Sequence, residues 1–193
     1  MSANASGDLP ALFLKDALLQ LRKLKEQADK AIAQIGEADL FAVLDPEANS
    51  IALIMKHMVG NMRSRWTDFL TSDGEKPTRE RDLEFEREPS DTRESIVAAW
   101  EDGWRLVFDT VGALRPDDLE RTVHIRGEAH LVLEAINRQL THYAAHVGQI
   151  VLLAKHAAGP HWRSLSIPRG QSKQFDVSRR GEVYEVDEGA DKR

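Results

Sequence analysis

The chain has 193 residues, 30% of them charged and 41% hydrophobic, a balance that suits a folded globular domain and excludes a disordered one. Its 26 Lys and Arg against 32 Asp and Glu leave a formal charge of −6, so the broad basic field behind non-specific nucleic-acid binding is missing and nucleic acid is not an expected partner. There is no cysteine, which removes disulfides, thiolate nucleophiles and Cys-ligated zinc together.

Residues 1–8 are small and polar and show no secretory signal pattern. No apolar run reaches membrane-spanning length before a Lys, Arg or His interrupts it, so the expectation is a cytoplasmic protein with no membrane partner. The first periodic segment runs from about Leu9 to Ile35. Leu14, Leu21, Ala28 and Ile35 recur every seven residues, with Leu18, Leu24 and Ile32 near the complementary positions. That spacing predicts an amphipathic helix with a bundle-type seam, stopped by Gly36. A polar turn with Asp45, Pro46 and Asn49 leads to a second helix over about 50–71. Ser50 is its N-cap, and Ile51, Met55, Met58, Met62, Trp66 and Phe69 are its apolar stripe. Residues 72–89 are dense in charge and carry Gly74, Pro77 and Pro89. They read as a long, solvated crossing connection.

The third helix is expected from Ser90 or Asp91 to Leu114, with Val97, Trp100, Trp104, Val107 and Val111 inward. Pro116 ends it, because proline disfavours helix in the residue before it. Residues 118–126 alternate as a short strand or an extended arm would, and Gly127 breaks them. A fourth helix is expected from about Glu128 to Ala157, stopped by Gly159 and Pro160. Trp162, Leu165 and Ile167 should anchor an irregular segment over the helices. The charged, glycine-punctuated stretch 177–193 reads as a disordered tail, which leaves a domain over 9–176. Four long amphipathic helices and one long connection between helices 2 and 3 predict an all-α four-helix bundle.

Of the seven histidines, His142 and His146 are the informative pair. Residues four apart on a helix share a face, with Cβ atoms about 6 Å apart, so both imidazoles can address one metal ion. His57 sits in the second helix beside Ile54 and Met58, in line with Asn61 and Arg65. Each histidine alone reads as an ordinary hydrogen-bonded core residue. Together, on facing helices, they match the way bundles assemble metal sites from inward side chains. Three neutral imidazoles leave positions for water or substrate, as catalytic sites do. Trp66, Trp100, Trp104 and Tyr143 could wall an aromatic pocket, although helical spacing makes plain core the simpler reading.

The run at residues 141–149, THYAAHVGQ, resembles the last-helix motif of the DinB-like superfamily of metal-binding bundles. Upstream, His57 with the run GNMRSRW at 60–66 matches as well. Residues 67–77 (TDFLTSDGEKP), 81–85 (RDLEF) and 162–172 (WRSLSIPRGQS) resemble one uncharacterised bacterial subfamily. The resemblance spans about Leu12 to Phe175. It implies a single metal held by His57, His142 and His146, and relatives that include transferases and isomerases using low-molecular-weight thiols. It gives the scaffold and the metal, and leaves the reaction open.

Zinc or nickel is the expected ion, iron and copper being compatible with the same ligands. A thiol nucleophile would have to arrive as a cosubstrate, and a small molecule is the expected partner. Hydrolysis uses the same parts, and a non-enzymatic stress-associated binding module or a plain interaction bundle remains open. Asn61 and Arg65 could orient a polar or anionic substrate, and Gln149 could support the site from behind His146. Relatives are commonly homodimers, so a homodimer is a further expectation.

Overall fold

In the computed structural model, which describes residues 8–174, the heptad seam of the first segment becomes helix α1, Leu9–Ile32. Pro10 lies in its first turn, where a missing N–H breaks no helical bond. Beyond it Gly36 starts a short helix, α2 (Glu37–Phe41), which the periodicity did not signal. The Asp39 carboxylate accepts from Gly36 N–H at 3.1 Å, and Leu40 is fully buried.

Helix α3 runs Ile51–Trp66, and Ser50 Oγ accepts from Leu53 N–H at 3.3 Å as an N-cap should. It stops short of Thr71 because the chain turns at Asp68, whose φ of 50° is left-handed. Helix α4, Arg93–Ala113, opens on a reciprocal cap between Thr92 and Ser95. Helix α5 spans Val132–Ala158 and ends at Gly159, which takes a φ of 53°.

Before α5, strands β1 (Thr122–Ile125) and β2 (Glu128–Leu131) form a two-stranded antiparallel sheet with Ile125 opposite Glu128. The expectation that Glu128–Leu131 belongs to the last helix is therefore corrected. Arg126 and Gly127 both adopt positive φ, the turn that suits a two-residue hairpin. Asp73 accepts from both of their backbone N–H groups at 2.8 Å, which holds the turn open as a hairpin.

α1 packs on α5 and α4, and α3 packs on α4 and α5, so the apolar stripes of the four long helices meet in one core. The described residues are mostly helical, with that one small sheet among them. Trp66, Trp100, Trp104 and Tyr143 are at most 1% exposed. They touch edge to face, Trp100 with Trp104 at 5.6 Å and Trp104 with Tyr143 at 5.5 Å, and so are core rather than pocket wall. Trp66 Nε1–H donates to Tyr143 Oη at 2.9 Å, which satisfies a buried indole.

Trp162 and Leu165 pack against the core, and Gln34 holds the Arg163 backbone through both its N–H and its carbonyl. Ile167 is 42% exposed and does not serve as the third anchor. The tail expected over 177–193 lies outside the described residues. No described helix is long and apolar enough to cross a membrane.

Candidate metal centre

α3 presents His57 and α5 presents His142 and His146 to the same space. His142 Nε2 lies 3.4 Å from His57 Nε2 and 3.1 Å from His146 Nε2. Ligand-type nitrogens of the three residues all fall within 4.8 Å of one another, and among the described residues this cluster contains these three alone. His124 and His130 lie on the hairpin, while His156 and His161 are at the far end of α5 and just past it. Two imidazole nitrogens on one zinc at about 2.0–2.1 Å, at a tetrahedral angle, sit about 3.3 Å apart. The two separations from His142 Nε2 are of that size.

The outward nitrogens explain why the inward ones point as they do. His57 Nδ1–H donates to Glu84 Oε2 at 2.9 Å, and His146 Nδ1–H donates to Gln149 Oε1 at 2.8 Å. A proton on each Nδ1 leaves the Nε2 lone pair bare and aimed inward. Lone pairs this close repel unless a proton or a cation lies among them. Burial, with the neighbouring histidines next, pulls the His142 pKa down to about 4. Burial also lowers that of His146, outweighing the bond from Gln149. Both rings are thus held neutral, the state a metal ligand needs.

Glu84 belongs to the charged connection expected to be solvated, yet its side chain is only 10% exposed and that of its partner Arg79 is 5% exposed. Arg79 grips both carboxylate oxygens, Nε to Oε1 at 2.7 Å and Nη2 to Oε2 at 2.9 Å. Burial pushes the Glu84 carboxyl up, but hydrogen bonds from His57 and Arg79 outweigh it and hold the group below the ordinary carboxylate range. Glu84 stands on a single 3-10 turn, Asp82–Phe85, and Phe85 stacks on the His57 ring at 4.8 Å. Gly60, nearly one helical turn after His57, makes the room. A Cβ there would stand 2.1 Å from Glu84 Oε1. A glycine facing inward in an otherwise bulky helix was the available signal.

Asn61 and Arg65 both have partners within the protein. Asn61 Oδ1 accepts from Tyr143 Oη–H at 3.2 Å. Arg65 is 5% exposed, and its two terminal nitrogens donate to the Gly74 carbonyl and, at 3.0 Å each, to Glu75 Oε2. Both still line a cavity of about 300 Å³ whose wall includes His57 and His142. A larger cavity, about 760 Å³, is lined by Gly60, Arg79 and Glu84 but by none of the three histidines.

Acidification is expected to destabilise the metal-free protein. The unfolded chain protonates its histidines near pH 6.5, while folded His142 resists down to about 4. In that window the unfolded state binds more protons, so stability is full above about pH 6.5 and falls as pH drops. Urea midpoints at pH 7 and pH 4.5 measure the loss, and His142→Gln should remove part of it. An unchanged pH dependence in that variant would show that another group carries it.

A family model described as a protein of unknown function, DUF1572, matches residues 8–171. No curated protein matches the chain.

Proposed function

The chain belongs to the DUF1572 family, and with it to the DinB-like superfamily, and on that premise we propose that it is a four-helix bundle holding one divalent ion, zinc or nickel, on His57, His142 and His146. The observation that carries the reading is the convergence of three inward Nε2 atoms, two of them backed by acceptors that fix the ring tautomer. The donor set is nitrogen only, which suits zinc or nickel better than magnesium or calcium. A divalent ion held by three neutral imidazoles supplies Lewis acidity and lowers the pKa of a water or thiol that reaches it.

The reaction class proposed is a transfer that uses a low-molecular-weight thiol as cosubstrate. The chain has no cysteine to act as nucleophile, so a sulfur nucleophile must come with the substrates. The protein's own share is to hold His57 against Phe85 and Glu84, to keep His142 and His146 neutral, and to open the site onto the cavity beside them. Metal content of protein purified without a His tag, read by mass spectrometry, tests the ligand set. The wild type should carry the ion and His146→Ala should lose it. A His146→Ala variant as metal-rich as wild type would reject the assignment.

A further inference from the structure

We propose that the cavity beside the three histidines is an oxyanion site, and that the substrate handled there carries a carboxylate or a phosphate. The proposal deepens the metal reading and rests on it for the substrate's orientation, whereas the anion site itself stands on the arginines.

Five arginines line this cavity, Arg65, Arg79, Arg81, Arg126 and Arg138, and no carboxylate residue does. That is a strong local excess in a chain whose formal charge is −6. The arginines fall into two sets. Arg65 and Arg79 have buried side chains and are occupied by Glu75 and Glu84. They build the floor. Arg126 shares Glu75 through Nε at 3.1 Å and is otherwise exposed. Arg81 and Arg138 have no carboxylate within 4.0 Å among the described residues. The Arg81 guanidinium instead lies over the Phe85 ring at 5.1 Å, the same ring that stacks on His57. Five guanidinium groups therefore share two carboxylates, Glu75 and Glu84, which leaves an excess positive charge at the mouth.

Exposed arginines are often only solvated, so a second kind of observation is needed. Arg65 supplies it. This residue is 5% exposed, lines the same cavity, and its Nε–H has no hydrogen-bond partner. Buried donors left bare are rare, and a guanidinium N–H is the donor type that a carboxylate or phosphate oxygen accepts from. A guanidinium fork pairs two oxygens of a carboxylate or phosphate at once, a match that a lysine ammonium lacks. A volume of about 300 Å³ is at the lower end for small-molecule sites, so the occupant is a compact molecule and not a polymer. With His57 and His142 in the wall, its reacting end lies next to the point where the Nε2 atoms converge.

Calorimetric titration of zinc-loaded and metal-free protein with inorganic phosphate and with succinate tests this. The variant is Arg81→Gln with Arg138→Gln, both exposed positions without an ion-pair partner among the described residues. At least one anion should bind in both states, weaken with added salt, and lose affinity about tenfold or more in the double variant. Zinc content should stay unchanged. Wild-type affinity in the double variant, binding seen only with zinc and untouched by the variant, or no saturable binding of either anion would each overturn the proposal. If the protein takes up no zinc while the double variant still loses phosphate, the metal reading fails and the anion site stands.

Discussion

Adding a chelator to the metal-loaded protein is expected to lower its melting temperature by roughly 5–10 °C while leaving it folded at room temperature. An ion that binds only the folded state adds RT ln(1 + [L]/Kd), about 2.7 kcal/mol at a hundredfold excess over Kd. For a chain of this size each kcal/mol moves the midpoint by about 2–4 °C. The fold should survive removal of the ion because its core does not pass through the site. Leu21, Met55, Met62, Trp104 and Ile150 are fully buried apolar side chains with no part in it. His142→Ala removes the imidazole that lies within 3.4 Å of both of the others, so it should melt at the same temperature with and without chelator. Thermal melts of wild type and variant, each with and without EDTA, decide the matter. A chelator effect of wild-type size in His142→Ala would mean that the ion sits elsewhere.

Gly60→Ala is expected to damage both stability and metal binding, although it adds only one methyl group. The new Cβ would lie 2.1 Å from Glu84 Oε1 and 2.5 Å from its carboxyl carbon, so the carboxylate has to leave. His57 Nδ1 then loses its acceptor, and a lost outer-shell partner of this kind lowers metal affinity by about 10–100-fold. Arg79, its side chain 5% exposed, loses its two close bonds to Glu84 and keeps only the longer contact to Glu75 at 3.5 Å. Breaking a buried pair in this way costs about 3–5 kcal/mol, against about 1 kcal/mol gained from alanine's better helix propensity. The expected net loss is about 2–4 kcal/mol, measurable by urea denaturation alongside a zinc titration. Glu84→Gln keeps the shape and removes the charge, and should weaken metal binding in the same direction. A Gly60→Ala protein with wild-type stability and zinc affinity would show that Glu84 is not held where it matters.

The helices were legible because their apolar positions repeat, and a repeat is a local signal. Leu14, Leu21 and Ala28 marked α1, and Trp100, Trp104, Val107 and Val111 marked α4, in each case to within a few residues of the observed ends. The short α2 escaped because five residues are too few to show a period. β2 was absorbed into the last helix because Glu128–Leu131 holds no breaker of its own. What sets it as a strand is Asp73, far away in the chain, bonding to the hairpin turn. His57, His142 and His146 could be picked out by spacing and placement. Glu84 and Arg79 could not, because in sequence they are two more charges in a charged stretch. Their burial follows from Gly60, from each other and from the His57 ring, none of which is adjacent to them.

The pairing of α1 with α5 also sets an order of events during synthesis. α3 and α4 are separated only by the connection that carries Glu84, and can meet as soon as both have emerged. α1 must wait for the end of α5, whose last turn lies more than a hundred residues downstream. At about 5–20 residues per second of translation, that interval is on the order of 5–25 seconds. Until α5 emerges, α4 alone can cover part of the α1 face, and the part that α5 buries is open to chaperones or to a neighbouring nascent chain. His142 and His146 come on the same late helix, so the ion would be acquired only after nearly the whole chain has left the ribosome.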